Sequence, residues 1–312
     1  MERKTALITG GSGYLGVHLA KSLHKQNWNV ISLDRRVSTC KYIDFQYNVD
    51  VRNREIFHKI FETHKVNAVF HLAGLIEVGE SFKYPTEFYD INVGGTCNLL
   101  HAMKMHNVEN IIYSSSAAVY KTQEKCLNEN DEIANNSPYG YTKYCAESAI
   151  RDSEIKHLIF RYFNLAGADP DGEMGEAHEP ETHLIPRIIQ NLNNFDVYGT
   201  DYPTPDGSCL RDYVHVSDVA SAHVDGANYI ISGGESTCLN LGTGVGYSVL
   251  EIIAHIEKLA GQKIAYNLKD RRSGDPPRLV ADIKLAERVL NFYPKHDILN
   301  ILETAYKWHT KK

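Results

Sequence analysis

Short apolar runs alternate along the chain with longer segments in which apolar positions recur every three or four residues. The runs TALIT (5–9), NVISLD (29–34), NAVFHLAG (67–74), NIIYSSS (110–116) and HLIFRYFN (157–164) have strand length, and a helix-length amphipathic segment separates each from the next. A strand covered on both faces reads as a nearly continuous apolar run, and strands joined through helices are βαβ units. The pattern therefore predicts an α/β fold built on a doubly wound parallel sheet, with ligands bound at the carboxyl ends of the strands. After about residue 165 the texture changes to polar, Gly/Pro-rich stretches, AGADPDGEMGEAHEPETH and GTDYPTPDGS, with short elements between them. Residues 1–165 are expected to form the sheet domain, joined by a returning segment near 210–242 that holds the helix-like VHVSDVASAHVDGANYI. Residues 166–312 are expected to form mainly a smaller, loop-rich substrate-binding part.

Composition narrows the possible partners. The 312 residues are 43% hydrophobic, enough for a sizeable core, and 33 basic against 39 acidic residues give a net charge of -6. That balance offers no basic footprint for nucleic acid. The first residues, MERKTALITG, lack the apolar core of a signal peptide, and no apolar run has membrane-spanning length, so a cytoplasmic protein without membrane contact is expected. Six scattered cysteines without CxxC spacing suit reduced thiols.

TALITGGSGYLGVHLAKSL places Gly10, Gly13 and Gly16 between a strand and an amphipathic helix. Glycines there let backbone approach a pyrophosphate, while the helix amino terminus supplies N–H groups and positive dipole. Asp34 closes the next strand, where a carboxylate accepts both ribose hydroxyls and repels a 2'-phosphate, so NAD is expected over NADP. Arg35 and Arg36 follow directly and offer a 2'-phosphate an alternative partner, or stand as solvated loop charges.

SPYGYTK (137–143) reads as a helix start and offers two tyrosines before one lysine. At about 100° per residue, positions four apart share a face and positions two apart oppose. Tyr139 and Lys143 can therefore cooperate, whereas Tyr141 and Lys143 cannot. An ammonium beside the phenol favours phenolate, and base chemistry at neutral pH needs its pKa lowered by roughly 3 units. Such a pair alone is an ordinary surface neighbourhood. It becomes informative with Ser114, Ser115 and Ser116 ending a strand one βα unit earlier, since serine donor, tyrosine acid/base, lysine and dinucleotide describe a short-chain dehydrogenase/reductase site. HEPETH (178–183), with Glu173 and Glu176 nearby, matches no zinc signature and reads as a solvated acidic loop, so no metal is expected.

With these motifs in place the chain resembles the UDP-glucose (UDP-galactose) 4-epimerase family of extended short-chain dehydrogenases/reductases, Rossmann-like proteins. The resemblance runs through TGGSGYLG, HLAGLIEVGES, INVGGT, SSSAAVY, SPYGYTK, RYFNLAGADPDGEMGE, DYPTPDG, RDYVHVSD, NLGTGVGYSV and RRSGDPP, nearly the whole chain. It implies Tyr139 as acid/base, Ser116 on the 4-hydroxyl of the sugar, and Lys143 on the nicotinamide ribose. It further implies pyrophosphate contacts at Tyr14 and Leu15, adenine contacts at Asp50 and Val51, and cofactor contacts at Leu72, Ala73, Gly74, Asn92 and Phe163. For the nucleotide sugar it points to Asn164, His183, Leu184, Tyr198, Arg211, Arg272 and Asp275, with Leu279 walling the hexose pocket. Ile76 and His183 depart from family members that carry lysine and asparagine there. The resemblance implies epimerisation of UDP-galactose and UDP-glucose through a 4-keto sugar with resident NAD, in a homodimer. Nucleotide-sugar 4,6-dehydratases, which share the fold but need an acid and base at C5 and C6, usually show Thr-Asp-Glu where this chain has Ser116-Ala117-Ala118, and a catalytically silent NAD-binding regulator is expected to have lost the tyrosine or the lysine.

Overall fold

The computed structural model describes residues 3–272 and 275–311. Its strands are β1 (Thr5–Thr9), β2 (Asn29–Asp34), β3 (Phe45–Asn48), β4 (Ala68–His71), β5 (Asn110–Ser116), β6 (Lys156–Tyr162), β7 (Asn164–Ala166), β8 (Phe195–Tyr198), β9 (Leu210–His215), β10 (Thr237–Leu241), β11 (Gly246–Ser248), β12 (Tyr266–Lys269) and β13 (Arg278–Leu279). The helices are α1 (Tyr14–Lys25), α2 (Arg54–Thr63), α3 (Val78–Lys83), α4 (Pro85–Phe88), α5 (Gly95–Met105), α6 (Pro138–Asp152), α7 (Leu184–Gln190), α8 (Val216–Ile231), α9 (Val249–Ala260), α10 (Lys284–Leu290) and α11 (Ile298–Thr310).

The larger sheet runs β3-β2-β1-β4-β5-β6-β10. Its first six strands follow the order of a Rossmann-like doubly wound sheet, with the switch point between β1 and β4. The pairs β1–β2, β1–β4, β2–β3 and β4–β5 are parallel. Leu7, Ile31, Val69 and Ile111 on neighbouring strands are all fully buried, as continuous apolar runs require. β3 was not visible as an apolar run because it is an edge strand with an exposed, mostly polar sequence, FQYN.

Helix starts follow local chemistry. Ser137 caps α6 by accepting from the Gly140 N–H at 3.1 Å, with Pro138 in the first turn. Between α4 and α5 the helical path passes through a π-helical stretch, Tyr89–Gly94, which carries Asn92.

The described chain divides into two compact units. One comprises residues 1–119, 133–161 and 220–239, and the other residues 120–132, 162–219 and 240–312. The returning segment is thus shorter than 210–242, because β9 pairs with β7, β11 and β13 in a four-stranded sheet of the second unit. That unit also holds the parallel pair β8–β12 and a core including Ile188, Phe195, Ile252 and Ile301. Among the described residues no helix is long and apolar enough to cross a membrane.

Candidate active site

In the first unit the chain leaves β1 through a tight turn in which Gly10 donates to Leu33 O at 2.8 Å and Gly13 to Gly10 O at 3.0 Å. Gly10 sits at φ +74°, and a Cβ there would lie 2.9 Å from Ala73 N; a Cβ on Gly16 would lie 2.4 Å from Gly10 O. Only glycine permits this close backbone packing. α1 starts at Tyr14 without a side-chain cap on its first N–H groups, and Leu15 packs inward behind them. Asp34, at the carboxyl end of β2, accepts from Ser12 N at 3.1 Å and Arg36 N at 2.9 Å. Arg36 Nε lies 3.8 Å from Asp34, while Arg35 lies 3.9 Å from Asp50. Both arginines therefore lean on carboxylates, a partnership the sequence did not specify. Hydrogen bonds from Arg52 hold the Asp50 carboxyl below its usual range, and Val51 packs under Gly95. Leu72 N donates to Thr9 O and Ala73 N to Thr9 Oγ1, which fixes the strand end beside the glycine turn.

Asn92, delivered by the π-helical stretch, pairs with both backbone groups of Leu75 and donates to Thr142 Oγ1 at 3.1 Å. A Cβ on Gly74 would come 2.9 Å from Asn92 Oδ1 and 3.7 Å from Lys143 Nζ, so Gly74, Asn92 and Lys143 share one corner.

Ser116 ends β5, where its Oγ accepts from Ala118 N at 3.1 Å and stands close enough to Tyr139, which is 8% exposed, to act on its phenol. Lys143 lies one turn further along α6, is 2% exposed, and holds its Nζ 4.8 Å from the centroid of the Tyr113 ring. Ser116, Tyr139 and Lys143 are thus assembled on one strand end and one helix face. The expected lowering of the phenol is not present in the chain by itself. Burial raises Tyr139 above its ordinary value, Ser116 opposes that shift, and the Glu77 charge adds to it. Burial also brings Lys143 down to about 8, with Glu147 opposing. Desolvation outweighs the charge pairing expected from spacing alone. His71, fully buried and pushed down to about 3 by burial and by Lys143, stays neutral between Thr9 and Thr96.

A supporting group went unread. Glu147, four residues beyond Lys143 on the same face, is fully buried and accepts from Ser115 Oγ, from Arg161 Nε at 2.9 Å and Nη2 at 2.6 Å, and from Arg151 Nη2 at 2.8 Å. It ties α6 to β5 and β6. Its spacing of four from Lys143 was the available signal.

The second unit gathers another set. Arg211 on β9 donates to Pro276 O at 2.8 Å and Leu210 O at 3.0 Å and lies 3.4 Å from Asp275. Leu279 pairs in register with Arg211. The Arg272 guanidinium stacks 4.0 Å from the Tyr198 ring centroid. Asn164 opens β7, in register with Tyr213 of β9, and Phe163 donates its N–H to Leu241 O. Ser273 and Gly274 of the RRSGDPP stretch lie outside the described residues. His183 and Leu184 start α7, but His183 turns to Glu176. The loop expected to be solvated is folded inward there, with the Glu176 side chain only 3% exposed.

A glycine turn into an uncapped helix, an acid ending the second strand and a Ser–Tyr–Lys set with buried tyrosine and lysine on a doubly wound sheet define a dinucleotide-dependent site of the short-chain dehydrogenase/reductase kind. The crowding around Gly10 and Gly16 leaves backbone where a pyrophosphate would lie, so these residues fit NAD. The chain belongs to the NAD dependent epimerase/dehydratase family, whose sequence pattern it matches over residues 6–242. It is 39% identical to the UDP-glucose 4-epimerase of Rhizobium meliloti (strain 1021), with 100% of this chain and 99% of that protein aligned. Among solved structures it resembles UDP-glucose 4-epimerase from Brucella ovis in complex with NAD, at 38% identity, TM-score 0.93 and 97% coverage of both chains. It also resembles the enzyme from Bifidobacterium longum in complex with NAD+ and UDP, at 36% identity, TM-score 0.93 and 99% coverage of both.

Proposed function

We propose that this chain is a UDP-glucose 4-epimerase that interconverts UDP-galactose and UDP-glucose with resident NAD. The observation that carries the reading is the Ser116–Tyr139–Lys143 set, its tyrosine and lysine buried, beside a dinucleotide-fitting glycine turn, in a chain aligned end to end with epimerases. The first unit is the NAD-binding part and the second mainly the UDP-sugar-binding part. NAD is held by Gly10, Gly13, Tyr14, Leu15 and Gly16 at the pyrophosphate, Asp34 at the ribose, and Asp50 and Val51 at the adenine. Leu72, Ala73, Gly74, Asn92, Lys143 and Phe163 hold the remainder. When bound, NAD supplies a reversible hydride acceptor and a positive charge.

Tyr139 takes the proton of the sugar's 4-hydroxyl as phenolate and later returns it. Ser116, beside that phenol, orients the same hydroxyl. Lys143 anchors the nicotinamide ribose and supplies charge beside the phenol. A 4-keto sugar results, retained by its UDP while it turns and presents its other face. Arg211 and Arg272 meet the diphosphate with their rigid donor forks, while Asn164, His183, Leu184, Tyr198, Asp275 and Leu279 line the nucleotide-sugar site. The absence of carboxylates at Ala117 and Ala118 disfavours dehydration at C5 and C6.

Incubating the purified protein with UDP-galactose and resolving the products tests the reading. UDP-glucose formed without net NADH supports it; no conversion, or a 4-keto-6-deoxy product, overturns it. Nucleotide released by denaturation is NAD if Asp34 selects as proposed, and NADP if Arg35 and Arg36 override it. We further propose a homodimer through α6 and the helical path running from α4 through the π-helical stretch into α5, where Tyr89 and Met105 stand 39% and 63% exposed. A monomeric mass by light scattering overturns that.

A further inference from the structure

The inward-folded loop before α7 assembles a group of side chains that the proposed reaction does not require together. Glu176, His178, Glu181 and His183 each bring one nitrogen or oxygen to within 4.8 Å of the others. Two imidazoles and two carboxylates form a mixed donor set. The carboxylates are withdrawn from water, with side chains 3% and 7% exposed, whereas His178 and His183 are 22% and 43% exposed and keep the cluster open to solvent. Among the described residues the ion-pairing partners of both carboxylates are histidines alone, Glu176 with His178 and His183 and Glu181 with His183. Two buried carboxylates call for positive charge beside them.

Glu181 adds an independent observation. Its Oε1 accepts the backbone N–H groups of Thr182 at 2.8 Å and His183 at 2.9 Å, but its Oε2 is buried without a hydrogen-bond partner. A buried carboxylate oxygen left unsatisfied is costly unless something electropositive occupies the space beside it. Neighbouring structure holds the loop from both ends: Trp308 Nε1 donates to Glu176 O at 2.8 Å, and the His183 carbonyl at the start of α7 accepts from Arg187 N at 3.2 Å.

We infer that Glu176, His178, Glu181 and His183 bind a divalent first-row transition ion, with zinc the ion their donors suit. Imidazole nitrogen with carboxylate oxygen is a zinc donor set, while calcium and magnesium take oxygen ligands throughout. The ion balances both carboxylates, gives Glu181 Oε2 its missing partner, and fixes the entry to α7. Sequence spacing did not suggest the site, since Glu176 arrives from outside the HEPETH run and the set matches no zinc signature.

The test uses the full chain, stripped with chelator and titrated with Zn2+ against a competing chelator, together with X-ray absorption at the zinc edge. One ion per chain with nitrogen and oxygen neighbours at about 2.0–2.2 Å is expected. His178→Ala and Glu181→Gln should each weaken uptake by at least about 100-fold, beyond the range seen for outer-shell partners. The inference is overturned by the absence of stoichiometric uptake, by sulfur neighbours from the free cysteines, or by unchanged affinity in both variants. The wild-type absorption spectrum decides even if a variant fails to fold. If the histidines only pin the loop by hydrogen bonds to Glu176, uptake is absent.

Discussion

Replacing Glu147 by glutamine keeps the side chain's shape and removes its charge, which isolates the ion pair beneath the catalytic helix. Oε1 of Glu147 accepts from Ser115 Oγ and Arg161 Nε, and Oε2 accepts from Arg161 Nη2 and Arg151 Nη2. An amide with its NH2 at the Oε2 position opposes Arg161 Nη2 and Arg151 Nη2; turned the other way it opposes Arg161 Nε, while the Ser115 hydroxyl can rotate to accept. Losing one or two hydrogen bonds to a charged group costs about 1.5–6 kcal/mol. Breaking a buried ion pair, its arginine 3% exposed, independently gives about 3–5 kcal/mol. The expected loss is therefore about 3–5 kcal/mol, read as a fall in the urea midpoint at unchanged slope. Glu147→Leu with Arg161→Met should recover part of it, since both buried charges of the pair are then absent. Burial alone would raise the carboxyl of Glu147, but Arg161 and Ser115 hold it below the ordinary 4.5. Its stabilisation is accordingly present above the unfolded value and lost as pH falls through the lower folded one, so wild type and Glu147→Gln should converge in acid. A loss below about 1 kcal/mol near pH 7, or no convergence, refutes the reasoning.

Three further outcomes test the site. Tyr139→Phe should lower kcat at least about 100-fold while bound NAD is retained, and Tyr141→Phe should leave kcat near wild type; equal losses in both would sink the helix-face assignment. In the cofactor-free protein Lys143 should titrate near 8 by NMR rather than at 10.5. Between those values the unfolded chain binds a proton that the folded chain does not, so unfolding free energy should rise with pH by roughly 3 kcal/mol, a rise that Lys143→Met should abolish. Leu279→Ser should raise kcat/KM for UDP-N-acetylgalactosamine relative to UDP-galactose by about 10-fold or more, because it opens room and adds a hydrogen-bonding group; an unchanged ratio shows that Leu279 is not the gate.

What could be read from the chain divides along physical lines. Strands buried on both faces announced themselves, because burial demands apolar runs; β3, exposed at its edge, and β13, two residues long, carried no such signal. Tyr139 and Lys143 were legible because helix periodicity is local. The sign of the Tyr139 shift was not, since it depends on burial created by distant residues such as Phe88, whose ring packs edge-on against the phenol. Glu147 lay at a readable spacing, yet its partner Arg161 arrives from another strand, and only the assembled sheet reveals the pair. The loop before α7 read as solvated because acids usually are, and its inward turn follows from contacts with His183 and Trp308.

The placement of β10 bears on how the protein can be made. This strand, residues 237–241, is the edge partner of β6, and α8 lies close over β6, where Gly226 leaves no room for a Cβ beside Leu158 and Phe160. A ribosome that has delivered the first 165 residues has therefore exposed β6 with its outer edge unpaired and one apolar face uncovered, a surface that invites pairing with another chain. The hazard lasts until about 75 further residues emerge, at synthesis rates of roughly 5–20 residues per second an interval of several seconds. Neither unit can be excised as one contiguous piece, and a nascent chain stalled between β6 and β10 is the form most exposed to aggregation.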